Sequence, residues 1–251
     1  MLAVLVALAL ADAPPRPPRA LACLAKYYTL QPQLVDGAWF GKLPDGTRVP
    51  WNDGKTKDTY QRFENPDLHD VLFEPYPRGP IAPITTVDAD PGRMRVDALF
   101  FATYGASAKE IASRLVPLDF LGEHLKVHPK VVGPLQRVEK RLAPLVAKDA
   151  SLRPYLQKLG GTFNWRVIAG SDKLSAHSFG VSLDINVAHS AYWQWAKPVE
   201  PVKWRNEIPA VIVEAFEAEG FIWGGRWYHY DTMHFEYRPE LLDPDCKLDN
   251  P

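Results

Sequence analysis

Two short clusters hold the residue types from which chemistry can be built. The first reads Ser175-Ala-His177-Ser-Phe-Gly180-Val-Ser-Leu-Asp184, and the second, about fifty residues on, Asp231-Thr-Met-His234-Phe-Glu236. Together they supply two imidazoles, a carboxylate that can share a cation with them, and a second carboxylate three residues ahead of the last histidine. A water-activating zinc site uses such a set: three protein ligands, a fourth position left open, and a base beside it.

The elements that must position these side chains show in the alternation around them. Val181-Ser182-Leu183-Asp184-Ile185-Asn186 alternates apolar and polar, the period of a half-buried strand. Val181, Leu183 and Ile185 then face a core, while Ser182, Asp184 and Asn186 share the other face. Gly180 suits a sharp turn that returns His177 over Asp184. In the second cluster Thr232, His234 and Glu236 fall on one strand face, Met233, Phe235 and Tyr237 on the other, and Asp231 stands at the loop edge where the strand begins. The expected ligands are His177, Asp184 and His234. Isolated histidines and aspartates in loops are ordinarily solvated, and spacing alone leaves that reading beside the first. Both clusters, however, lie in apolar, aromatic-rich stretches (179–187 and 221–237), where polar groups need partners.

The first cluster resembles the Ser-x-His-x-x-Gly-x-Ala-x-Asp signature of the M15 zinc peptidases, the family of D-alanyl-D-alanine carboxypeptidases and L-alanyl-D-glutamate endopeptidases. The second, with Trp223-Gly-Gly-Arg-Trp227 ahead of it, resembles that family's closing Trp-Gly-Gly…Asp-x-x-His-Phe-Glu element. The likeness covers residues 160–240. A further segment, Asp90-Pro-Gly-Arg-Met-Arg95 to Tyr104-Gly105, resembles an upstream region of larger bacterial M15-like proteins. Ser182 departs from the family's usual Ala, and Asp231 stands where some branches have Glu, which is similar to the endopeptidase-like branch. The resemblance implies a Zn²⁺ cofactor on His177, Asp184 and His234, with Asp231 as general base and then acid. It implies a catalytic and substrate-holding Arg166, on the strand entering the site, whose guanidinium suits a carbonyl, carboxylate or oxyanion. Ser175, Ser182, Trp227 and His229 are the further substrate-side candidates; Ser175 can equally cap its loop, and the aromatic residues can equally be packing. The implied function is hydrolysis of an amide bond in peptidoglycan stem peptides, D-Ala–D-Ala or L-Ala–D-Glu. The same fold also serves hedgehog signalling domains as binding modules, so the alternative is a zinc-containing cell-wall binding module without turnover. Retention of Asp231 favours an enzyme. A zinc amidase acting on a small dipeptide outside the wall is a third reading.

The remaining sequence bounds these readings. The chain of 251 residues is 46% hydrophobic and 24% charged, ordinary for a globular protein, and long enough for one sizeable core. A formal net charge of −1 gives no reason to propose a nucleic acid or an anionic membrane as partner. Its 24 prolines, about double the usual share, are densest in the first ninety residues, which are expected to wrap a surface in extended segments and turns. An apolar run within residues 1–13 ends Ala11-Asp12-Ala13, like a secretory leader, although no basic residue precedes it and Pro14 follows the cleavage position. Export to the periplasm or beyond is the expectation, with no membrane span in the mature chain. The two cysteines, Cys23 and Cys246, either pair in an oxidising compartment or stay as thiols.

Helices are expected from Ser107, an N-cap with Glu110 three residues on, over 134–147 with Pro144 kinking or ending it early, and over 209–219 between Pro209 and Gly220. A strand is expected over 162–168. His124 and His128 read as a surface pair, and His229 as a competitor of His234. The expected fold is α+β, a small antiparallel sheet with packed helices, of the hedgehog/DD-peptidase-like type if the resemblance holds. Its expected parts are a leader and linker (1–22), an N-terminal extension packed on the core (23–130), a catalytic core (131–240) and a tail (241–251), in a monomer.

Overall fold

Helix α1 (Arg19–Tyr27) turns Ala20, Leu21, Cys23 and Leu24 inward and stops where Tyr28 becomes extended. These coordinates, a computed structural model, describe residues 15–168, 171–195 and 201–249, so the expected leader over 1–13 lies outside them. An antiparallel sheet follows, β1 (Gln31–Val35), β2 (Ala38–Lys42) and β3 (Arg48–Pro50), in the order β1-β2-β3. Its first hairpin turns on Asp36 and Gly37, both at positive φ, the conformation such two-residue turns require. Pro32 and Pro50 are tolerated because they stand on the two edge strands. The proline-rich region is thus more regular than its composition predicts.

Helix α2 (Thr59–Glu64) carries a reciprocal capping box of Asp58 and Gln61. Helices α3 (Asp97–Tyr104) and α4 (Ala108–Arg114) follow, and Ser107 caps α4 by accepting from the Glu110 amide, as its sequence indicates. A hairpin of β4 (Val116–Phe120) and β5 (Glu123–Val127) leads into α5 (Pro129–Lys148). That helix is longer than expected at both ends. It begins at Pro129 because His128 caps it, accepting from the Lys130 amide, and His128 is therefore buried rather than a surface partner of His124. Pro144 does not end it: Pro144 lies on the exposed side, as does Lys140, whose carbonyl loses its helical donor there.

The sheet that carries both sequence clusters has four antiparallel strands in the order β6-β7-β9-β8: β6 (Leu159–Gly161), β7 (Ser182–Asn186), β8 (Phe221–Trp223) and β9 (His234–Tyr237). Helix α6 (Ala210–Glu217), between Pro209 and a Gly220 of positive φ, precedes β8. The strand expected over 162–168 is absent; the strand is 159–161 instead. Its pairing is close, since a Cβ on Gly160 would stand 2.9 Å from the Asp184 Cβ. Beyond it, the Asn164 amide donates to the His177 carbonyl and the Arg166 amide to the Ser178 hydroxyl, so this backbone serves the first cluster instead of a sheet.

Leu183, Ile185 and Phe235 face a core shared with α5 and α6, where Phe216 stacks on Phe235 at 4.0 Å between ring centres. The same core continues to Leu21 and Leu24 of α1 and to Cys246, which forms a disulfide with Cys23. Among the described residues no helix is long and apolar enough to cross a membrane. The architecture is α+β.

Candidate metal centre

The first cluster folds as its glycine demands. A 3-10 turn, Ala176–Phe179, ends at Gly180 in the left-handed conformation (φ 65°), and the chain reverses into β7. A side chain there would be strained by that φ, and its Cβ would meet Leu115 Cδ2 at 2.6 Å. The Ser175 hydroxyl caps the turn, accepting from the His177 amide at 3.4 Å. On the sheet, Asp184 of β7 lies directly opposite His234 of β9, which turns two residues fifty apart in sequence into neighbours.

The three donors converge. His177 Nε2 and His234 Nδ1 each lie 3.0 Å from Asp184 Oδ1 and 3.1 Å from each other. Each imidazole has its other nitrogen at an acceptor: His177 Nδ1 at the Thr162 carbonyl (3.2 Å), His234 Nε2 at Glu236 Oε2 (3.5 Å). Protons on those outer nitrogens leave two ring lone pairs and a carboxylate oxygen facing one another, which is repulsive unless a cation or a shared proton lies between them. The edges of this triangle approach the ~3.3 Å that donors about 2.0 Å from a tetrahedral ion adopt. The residues therefore fit a divalent metal, zinc included. Burial alone would raise the Asp184 carboxyl, but hydrogen bonds from His177 and His234 hold it well below the usual range. His234 is raised to about 10 despite burial, by Asp184 and Glu236, so a proton on this cluster stands where a metal would.

Asp231 behaves differently. Its Oδ1 is buried without a hydrogen-bond partner among the described residues, and burial, with Asp184 adding to it against His234, lifts the carboxyl to about 6. It shares a cavity of about 80 Å³ with His234, Arg166, Ser175 and Trp227, large enough for a water and a small acyl group. Arg166 is exposed and makes no ion pair among the described residues; it belongs to an irregular segment, not to the strand expected for it. Trp227 donates its indole N–H to the Pro91 carbonyl and lies 5.6 Å from the His234 ring.

Two expected residues are placed elsewhere. Ser182, opposite Glu236 on the sheet, is only 2% exposed, and its hydroxyl is buried, without a partner among the described residues, and off the cavity wall. His229 bonds Asp90 (2.7 Å) and packs on Trp193 (4.5 Å) in an adjoining cavity, which meets the first along Arg93 and Ile168. It is no rival ligand. The cavity also contains side chains given no role in advance: Arg93, 5.0 Å over the Trp227 ring, Arg95, Tyr192 and Glu236. The only sequence signal for the arginines was the Asp90-Pro-Gly-Arg-Met-Arg95 segment, far from either cluster.

Three inward donors form a group that could hold a metal ion, and a lone carboxyl stands beside them in an arginine-lined cavity. Residues 169–237, which carry both clusters, match the M15 peptidase family model described as D-alanyl-D-alanine carboxypeptidase. No curated protein matches the chain.

Proposed function

We propose that this protein is a zinc-dependent peptidase that hydrolyses an amide bond in the stem peptides of bacterial peptidoglycan. The observation that carries it is the meeting, at 3.0–3.1 Å, of His177, Asp184 and His234, with the unpaired Asp231 carboxyl in the same cavity. Zinc held by His177 Nε2, His234 Nδ1 and Asp184 Oδ1 supplies Lewis acidity and lowers the pKa of water from about 15.7 towards 7. Asp231 takes the proton of the attacking water on its free oxygen and delivers it to the leaving amine. Arg166, at the cavity and without an ion pair among the described residues, holds the substrate carbonyl or carboxylate and stabilises the oxyanion; Trp227 and the Ser175 turn shape the wall. The fold is that of the hedgehog and DD-peptidase group, with the catalytic part within 131–240. Export fits the Cys23–Cys246 disulfide, a bond that persists in oxidising compartments.

The test is to quantify zinc in the purified protein and in Asp231→Ala, then digest purified peptidoglycan and identify products by mass spectrometry. Release of single D-Ala, absent in a variant that still holds zinc, means a carboxypeptidase; cuts after L-Ala mean an endopeptidase. Zinc without cleavage would convert the reading to a binding module, and no zinc would end it.

A further inference from the structure

A line of buried polar groups runs from the start of the fold to the metal-ligand strand. Tyr28 donates to Glu240 at 2.8 Å, and Arg238 joins Glu240 to Glu236 through Nε (2.5 Å) and Nη1 (3.2 Å). Arg95 closes the line: its Nη1 donates to Glu236 Oε1 and Oε2 at 3.1 and 3.2 Å. Its other branch, Nη2, donates to the Leu174 carbonyl at 2.8 Å, one residue before the Ser175–His177 turn. Arg95, Glu236, Arg238 and Glu240 are all 6% exposed or less.

We propose that Arg95 is a positioning residue for the metal centre. Resting on the reading of His177, Asp184 and His234 as metal ligands, it acts on both clusters at once. Glu236 Oε2 accepts from the outer nitrogen of His234, which keeps Nδ1 turned towards Asp184 and His177. Of the two guanidinium groups on Glu236, only Arg95 contacts that oxygen; Arg238 holds Oε1. Without Arg95 the carboxylate is free to swing towards Arg238 and the ring loses its orienting acceptor. The same side chain fixes the carbonyl ahead of the turn that delivers His177. Only a planar fork can do both, since the donors must point in two directions from one rigid group, and a lysine ammonium reaches one or the other. Outer partners of this kind typically govern metal affinity by about 10–100-fold. Because Arg95 precedes the family-matched segment 169–237, that segment owes its metal geometry to the upstream chain.

The test uses full-length Arg95→Met, Arg95→Lys and Glu236→Gln, with Arg226→Met as a control that breaks a different buried pair (Arg226–Glu217, 2.6 Å). Zn²⁺ affinity is measured by competition with a chromophoric chelator, Co²⁺ loading by its visible ligand-field bands, and folding by near-ultraviolet circular dichroism. Arg95→Met is expected to weaken Zn²⁺ by about tenfold or more and to shift the Co²⁺ bands, with Arg95→Lys in between. Arg226→Met is expected to lose stability and keep wild-type Zn²⁺ affinity. A folded Arg95→Met with wild-type affinity and spectrum overturns the proposal while leaving the metal site standing. If that variant does not fold, wild-type affinity in both Arg95→Lys and Glu236→Gln overturns it equally. A wild-type protein that binds no Zn²⁺ overturns both this inference and the peptidase reading.

Discussion

Asp231 and Asp184 are both aspartates within one small site, and their surroundings give them opposite work. Asp184 has two imidazoles on one oxygen and stays ionised, as the proposed ligand role requires. Asp231 has a buried, partnerless oxygen and a carboxyl lifted to about 6, a group poised to take up and release a proton. Asp231→Asn is therefore expected to lower turnover by about 10²–10⁴-fold with bound zinc unchanged by atomic absorption, whereas His234→Ala loses the metal. Equal zinc loss in both would make Asp231 a ligand. Access matters as much as charge. A Cβ on Gly224 would stand 2.5 Å from the Asp231 carbonyl oxygen, and Gly224 also accepts from the Asp231 amide at 3.0 Å. Gly224→Ala should push the Asp231 backbone away, costing about 1–3 kcal/mol of stability and cutting kcat while zinc is retained. Wild-type kcat in that variant would show the backbone can shift without moving the carboxyl.

Elements explain why some of this was legible and some was not. Strand β7 and the turn before it follow from short-range rules, alternation and one left-handed glycine, so the Asp184 and His177 positions could be read directly. Helix α4 likewise carries its own cap. The stretch 162–168 misleads because its β-like composition is used to hydrogen-bond the His177 turn, a partner that no local pattern reveals. Pro144 misleads because whether a proline breaks a helix depends on where the lost carbonyl points. Arg95 is out of reach for the same reason on a larger scale: its partners are 79 and 141 residues away. His128 joins these tertiary surprises. Burial, with Arg114 and Lys130 nearby, depresses it from 6.5 to about 4 while it caps α5. The unfolded chain takes up this proton below pH 6.5 and the folded one only below about 4. Stability is thus present above pH 6.5 and falls as pH drops to 4, by at most about 3 kcal/mol. His128→Asn keeps a capping oxygen and should flatten that slope in urea titrations at pH 7 and 4.5. An unchanged slope would assign the acid sensitivity to other groups.

At the scale of the molecule, one core holds α1, the helices and the four-stranded sheet together, and the Cys23–Cys246 bond fastens its first helix to its last turns. Reduction should lower stability by about 2–5 kcal/mol, seen as a fall in melting temperature with dithiothreitol. The bond spans 223 residues, so nearly the whole polypeptide is a covalent ring. A ring survives one cut. Lys55, with its side chain 75% exposed, offers trypsin such a cut. The nicked protein should run undivided on a gel without reductant and as two bands with it, keeping both metal-ligand clusters in one piece. For the exported peptidase proposed above, working among other hydrolases, that closure is a defence: the first proteolytic insult detaches nothing.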